Sequence, residues 1–523
     1  MRVRTRWGWG FEDAAISTAD ARAAAPGLTQ LLGFGATEPE EPVPFERVTL
    51  LEPRLAVPPQ LAGICADDTE ARARHARGQS YLDTVRGLRG EYDHVPDVVA
   101  RPREEGEIED VLEWAAAANA AIVPWGGGTS VVGGVEPRVP DRFDGAVTVD
   151  LGALDALREV DDVSRAARIG AGANGPRIEE HLSGHGLTMR FFPQSFELST
   201  LGGWIATRAG GHFATRLTHI DDLVESVRAV GPAGYWVSRR LPGSGAGPSP
   251  DRLLLGSEGI LGLITEAWVR VRPRPVHRAG RAVRFDSFLR GADAVRALAQ
   301  SELEPANCRL IDALEAAQYG AGDGRHALLT LGFESADHPV HHWLDLALAI
   351  CREHGGVHDE EGAGSAGGAI GSWRAAFLRM PYLRDMLVRL GFFTDTFESA
   401  VTWERFPAFH ASVTGAVEAA LGEPCRVTCR LTHVYPDGPA PYFTVLAPAR
   451  RGDEVAQWHE MKRAAGRSIL DAGGTITHHH GVGRDHRPWY DAQRPDAFAA
   501  ALRAAKHALD PAGLLNPGVL IDP

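Results

Sequence analysis

The stretch Ala121-Ile122-Val123-Pro124-Trp125-Gly126-Gly127-Gly128-Thr129-Ser130-Val131-Val132-Gly133-Gly134 decides the fold. Its opening is an apolar run of strand type. Five glycines then fall within 126–134, which marks backbone that approaches something closely or adopts positive φ. Successive N–H groups in such a turn form an anion-binding concavity, the usual cradle for a pyrophosphate. A tight structural turn explains one glycine run equally well. The Rossmann pattern G-x-G-x-x-G and the Walker lysine are both missing, so a dinucleotide site here is of another class.

Working outward, the pattern predicts strands at 96–102, 146–151, 167–170 and 264–271 and helices at 80–90, 107–118 and 176–185. Two more glycine segments lie among them. One is Pro193-Gln-Ser-Phe-Glu-Leu-Ser-Thr-Leu-Gly-Gly203, running on through Trp204-Ile-Ala-Thr-Arg-Ala-Gly-Gly211. The other is Gly256-Ser-Glu-Gly-Ile-Leu-Gly-Leu-Ile-Thr265. Arg272-Pro-Arg-Pro275 marks a boundary, because alternating prolines stop a helix or a central strand. Beyond it, strands (282–285, 327–333) alternate with helices (292–301, 340–354), an α+β pattern. The glycine-rich stretch 361–371 reads as a mobile loop.

The 523 residues are 44% hydrophobic and 23% charged, an ordinary globular composition with room for several domains. A formal net charge of −14 argues against a general nucleic-acid binder but leaves room for a local cationic pocket. Five scattered cysteines form no disulfide framework and suit a reducing cytoplasm. No run of ~18 apolar residues or signal-peptide pattern is present, so neither a spanning helix nor a leader is expected.

Taken together, the three glycine segments resemble those of the vanillyl-alcohol-oxidase (PCMH) type of flavoproteins. Within that group the chain is similar to the alkyldihydroxyacetonephosphate synthase family from about residue 80 onward, and Arg6-Trp-Gly-Trp-Gly-Phe11 is similar to that family's N-terminal start. The resemblance implies an α+β fold: a two-subdomain PCMH-type FAD-binding module at 95–274 and an α+β cap with an antiparallel sheet at 275–477. An N-terminal helical extension (1–94) and a C-terminal segment (478–523) returning to the FAD site complete it. FAD contacts are implied at Pro124, Trp125, Gly126, Gly127, Gly128, Thr129 and Ser130, then at Pro193, Gln194, Ser195, Phe196, Glu197, Leu198, Ser199, Ala206, Thr207, Arg208 and Ala209. A third set is Glu258, Gly259, Ile260, Leu261, Gly262, Leu263 and Ile264. Thr129 stands where covalent flavoproteins of this type often carry histidine, so FAD is expected to be non-covalent.

His478-His479-His480-Gly-Val-Gly483 is the most unusual string. Three histidines are potential metal ligands, but on an extended backbone 478 and 480 face one side and 479 the other, with no fourth ligand nearby; no metal is expected. The resemblance makes them catalytic, with His479 where redox relatives show the glutamate of Gly-Glu-His-Gly. It also implies an acid/base role for Tyr442, a requirement for Arg309, and substrate binding by Arg384; alone, Tyr442 reads as core and Arg384 as the ion partner of Asp385. A guanidinium can grip a phosphate in bidentate fashion. Leu383, Met386, Leu387, Leu390, Phe392 and Phe393 read as a core-facing helix end or as the wall of an alkyl channel. The activity implied is non-redox replacement of the acyl group of acyl-dihydroxyacetone phosphate by a long-chain alcohol, with Tyr442 helping to deprotonate the alcohol. The alternative is oxidation of a 2-hydroxy acid by FAD. The expected partners are the lipid-phosphate substrate, a fatty alcohol and a second copy in a homodimer, with peripheral membrane contact and no nucleic acid.

Overall fold

The computed structural model describes residues 2–358 and 369–522. Three sheets organise it. In the first, Val98–Ala100, Gly145–Asp150 and Ala120–Trp125 run parallel, with Cys65–Ala66 antiparallel at one edge. Helix Glu105–Ala117 closes this layer through Ile108, Val111, Leu112 and Ala115, the i, i+3, i+4, i+7 stripe of an amphipathic helix. Burial of Ile108, Val111 and Leu112 contributes about 1.5–3 kcal/mol each.

The second sheet is antiparallel, in the order Leu157–Asp161, Ala166–Gly170, Leu263–Arg270, Val224–Gly231, Gly234–Val237. The third, also antiparallel, has six strands: His277–Phe285, Ala327–Ser335, Asn307–Ile311, Arg426–Val434, Pro439–Pro448 and Phe392–Glu398. This is the FAD-module-plus-cap architecture the sequence implies. Arg272–Pro273 at the expected boundary form a short pair with Leu187–Thr188, and the cap sheet begins just beyond.

The C-terminal segment returns to the first two sheets. Leu515 bridges to Ile122, and buried Lys506 donates to the Ile260 and Leu515 carbonyls at 2.8 and 2.7 Å. The N-terminal extension packs on the cap: helix Thr18–Leu32 shares a core with Leu390 and Phe392. Of the loop expected at 361–371, residues 361–368 lie outside the described residues, and helix Ala369–Arg389 already includes 369–371.

Candidate active site

A cavity of ≈ 380 Å³ is walled by the cap sheet, the helices Thr18–Leu32 and Ala369–Arg389, the 479–480 loop and two of the glycine segments. The loop after the Ala120–Trp125 strand supplies residues 126–131, and the second glycine segment supplies 193–195, Ser199, Thr200, Gly203, Thr207 and 209–211. The two segments pack flush. A Cβ on Gly127 would meet the Leu198 carbonyl oxygen at 2.1 Å, and one on Gly126 the Thr200 hydroxyl at 2.3 Å. Among the described residues, the amides of Gly127, Gly128, Thr129 and Ser130 have no protein acceptor. A run of free donors on a cavity wall fits the pyrophosphate of a dinucleotide.

The third segment does other work. The Glu258 carboxylate accepts from the amides of Val482 and Gly483 at 2.7 and 2.8 Å, and burial pushes it up to about 7. Gly259 packs on Pro124. Residues 258–264, expected to touch FAD, therefore brace the 478–483 loop and the first sheet and do not line this cavity. Glu197 and Arg208 likewise turn to protein partners, Arg2 and Asp221, and the Trp125 ring packs at a tilt against His75, centroids 4.8 Å apart.

Three cap strands hold the reactive row. Tyr442 lies opposite Arg430 on one neighbouring strand and opposite Glu398 on the other. Its hydroxyl donates to Thr396 Oγ1 at 3.0 Å, and the Arg430 guanidinium covers its ring at 3.9 Å. Burial raises the phenol above its ordinary 10, with Arg430 pulling the other way. Arg430 is itself ion-paired to fully buried Glu315. Arg309, on the next strand, lines the same wall; burial lowers it to about 10, so it stays charged near neutrality.

The triple histidine is not extended. Its backbone wraps one carboxylate: the amides of His478, His479 and His480 all donate to Glu398, the latter two at 3.1 and 3.0 Å, and Thr477 Oγ1 adds a fourth bond at 2.7 Å. Three converging amides overrule the strand alternation expected for 478–480. Burial opposes ionisation of Glu398, but His480, His478 and these donors hold it down at about 2. His479 and His480 face the cavity beside Tyr442, with ring centroids 6.1 and 5.5 Å from its ring. His478 points away, to His219 and Tyr435.

Arg384 lines the cavity with its fork committed to protein. Nη1 donates to the Gln79 carbonyl, and Nη2 to Thr84 Oγ1 and Asp385 Oδ1 at 3.0 and 3.1 Å. A bidentate phosphate grip by both Nη groups is therefore closed to it, and Nε is the donor without a partner among the described residues. Asp385 is held in turn by the amide of Trp9, whose ring also lines the cavity. Both readings of the apolar stretch hold: Leu383, Met386 and Leu387 line the cavity with Leu28, Leu31 and Leu32, while Leu390 and Phe392 are core.

Residues 96–239 match the family model "FAD binding domain" and residues 274–520 match "FAD linked oxidases, C-terminal domain". The alkyldihydroxyacetonephosphate synthase of Caenorhabditis elegans is 31% identical over 490 residues, covering 87% of this chain and 81% of the relative. The chain belongs to the alkyldihydroxyacetonephosphate synthase family. The family's Dictyostelium discoideum member is 29% identical, covering 87% of this chain and 78% of its own. A solved structure of an alkyldihydroxyacetonephosphate synthase shares the fold, with a TM-score of 0.80 at 23% identity over 98% of this chain and 97% of that one.

This member of the synthase family is an FAD-dependent enzyme, and its glycine segments fit that cofactor. Gly127→Val is expected to purify largely without flavin, read from the 450 nm band, since the new side chain collides with Leu198 backbone. Sequence reading missed Glu398, Arg430, Glu315 and Trp9. Glu398 left a trace: Thr394, Thr396 and Glu398 fall at alternate positions of their strand, a period-2 polar face, although Asp395 interrupts the face of Phe393 and Phe397.

Proposed function

We propose that this chain replaces the acyl group of acyl-dihydroxyacetone phosphate with a long-chain alcohol, forming an ether. The observation that carries this reading is one cavity joining an aliphatic wall to a cationic and imidazole-rich end beside the glycine loop. A 2-hydroxy acid has no use for the aliphatic wall, and relatives named as oxidoreductases stand further off, at 25% identity. FAD, bound non-covalently, supplies a ring that can capture an electrophilic carbon with no net redox change.

In the exchange the C1–O bond to the acyl group breaks, the carboxylate leaves with the electron pair, and a C1–O bond to the alcohol forms. The alcohol's proton is left over. Tyr442 is held protonated by burial, so it enters as a hydrogen-bond donor to the departing oxygen, and a base role in the resting state is unfavourable. His479 and His480, which burial keeps neutral, are the acceptors for the alcohol's proton. Arg309 and the Nε of Arg384 face the phosphate. The five free thiols support a reducing compartment. Among the described residues no helix is long and apolar enough to cross a membrane. Leu31, 38% exposed at the cavity wall, supports lipid entry there by peripheral contact.

The test is anaerobic addition of D-lactate, D-2-hydroxyglutarate, glycolate or palmitoyl-dihydroxyacetone phosphate to the yellow protein. Palmitate release and ether formation with hexadecanol, without bleaching near ~450 nm, are expected. Bleaching by a hydroxy acid would overturn the reading. Leu387→Trp should shift preference from C16 toward shorter alcohols, measured as relative kcat/KM across a chain-length series.

A further inference from the structure

We propose that His478, Tyr435 and His219 form a proton exit from the active site, with His479 Nε2 as the base at its inner end. The inference rests on the ether-forming reading, because that exchange frees one proton per turnover: the alcohol loses it, and the departing fatty acid stays ionised near neutrality.

The direction of the chain follows from one carbonyl. His219 Nδ1 lies 3.0 Å from the Arg208 carbonyl oxygen, which only accepts, so Nδ1 carries the hydrogen and Nε2 of the neutral ring is bare. His219 Nε2 lies 3.0 Å from His478 Nε2, which must therefore be the donor. That leaves His478 Nδ1 bare, facing His479 Nδ1 at 2.9 Å, so His479 Nδ1 carries the hydrogen. His479 Nε2 is then unprotonated on a residue that lines the cavity. Tyr435 fits the same pattern: its hydroxyl oxygen, 2.7 Å from His478 Nε2, shares that nitrogen's single hydrogen with His219 in a three-centre bond, and its O–H donates to Thr218 Oγ1 at 3.0 Å.

Every link is thus poised in one sense. A proton arriving at His479 Nε2 moves the Nδ1 hydrogen to His478 Nδ1, and the Nε2 hydrogen of His478 moves to His219. No bond other than N–H and O–H bonds changes. His219 is only partly buried, so water can take the proton there. Asp221, Asp222, Arg208 and His433 are the charged and titratable groups facing His219, and the two aspartates favour its transient cation. His433 is no competing branch, because its Nε2 is committed to the Gly211 carbonyl at 2.9 Å. Burial first, and then neighbouring imidazoles, keep His478 and His479 neutral between turnovers.

The experiment compares holoenzyme with His219→Gln, His219→Ala and Tyr435→Phe. Glutamine keeps hydrogen-bonding groups but cannot relay a proton. Both His219 variants are expected to retain FAD and to slow ether formation roughly tenfold or more. They should also show an enlarged solvent deuterium isotope effect, and added imidazole should restore turnover of His219→Ala in a concentration-dependent way. Tyr435→Phe should show a smaller loss. Wild-type rate and isotope effect in both His219 variants, or a loss that imidazole does not repair and deuterium does not alter, would overturn the relay alone. A wild-type protein inert toward the acyl phosphate ester would overturn the functional reading and the relay with it.

Discussion

Glu398→Gln is expected to lower turnover by a factor on the order of 10²–10⁴ while FAD stays bound, the size of effect seen when acid/base groups lose their placement. No part of Glu398 lies on the cavity wall, so the loss is one of position. The carboxylate gathers the amides of His478, His479 and His480 and the Thr477 hydroxyl while fully buried. An amide in its place keeps one acceptor oxygen and sets an NH₂ group against N–H donors. The histidine loop must then open, which carries His479 and His480 away from Tyr442.

The same substitution has an acid signature. Glu398 is held at about 2 against an ordinary 4.5, so its contribution to stability is fully present above about 4.5 and is lost as the pH falls toward 2. The full swing is on the order of 3 kcal/mol. Wild-type protein should therefore lose its advantage in Tm over Glu398→Gln progressively between about pH 5 and pH 2. A Tm difference that stays constant over that range would show that the carboxylate charge is not what holds the loop.

The fold was legible because its signals are local. Glycine runs, helix stripes and strand alternation predict elements that match the structure to within a few residues, as with 107–118 against Glu105–Ala117 and 327–333 against Ala327–Ser335. The site was legible where chemistry is concentrated in a string, as in 126–130 and 478–480. It was hidden where register creates it. Glu398, Tyr442 and Arg430 stand side by side only because three strands pair in one alignment, although Glu398 and Tyr442 lie far apart on the chain. The third glycine segment is ambiguous for a related reason. Glycines there admit the close approach of Pro124, a need that one sequence does not distinguish from approach to a ligand.

Tyr442→Phe is the second change expected to have a large effect, again about 10²–10⁴ in the rate of fatty-acid release. The folded protein should scarcely notice it. The hydroxyl makes one hydrogen bond, to Thr396, and the ring keeps both its Arg430 cover and its histidine neighbours. A loss of about 1 kcal/mol in stability is the most that such a bond implies. The informative partner is Thr396→Val, which removes the acceptor and leaves the phenol. If Tyr442 works by donating to the departing oxygen, Thr396→Val frees that hydrogen and keeps turnover near wild type, whereas Tyr442→Phe abolishes the first burst of palmitate in a single-turnover assay. If instead the pair only shapes the wall, both variants should change KM together and leave the burst intact. A Tyr442→Phe enzyme with an undiminished burst would take the phenol out of the chemistry and assign bond cleavage to the imidazoles that Glu398 holds in place.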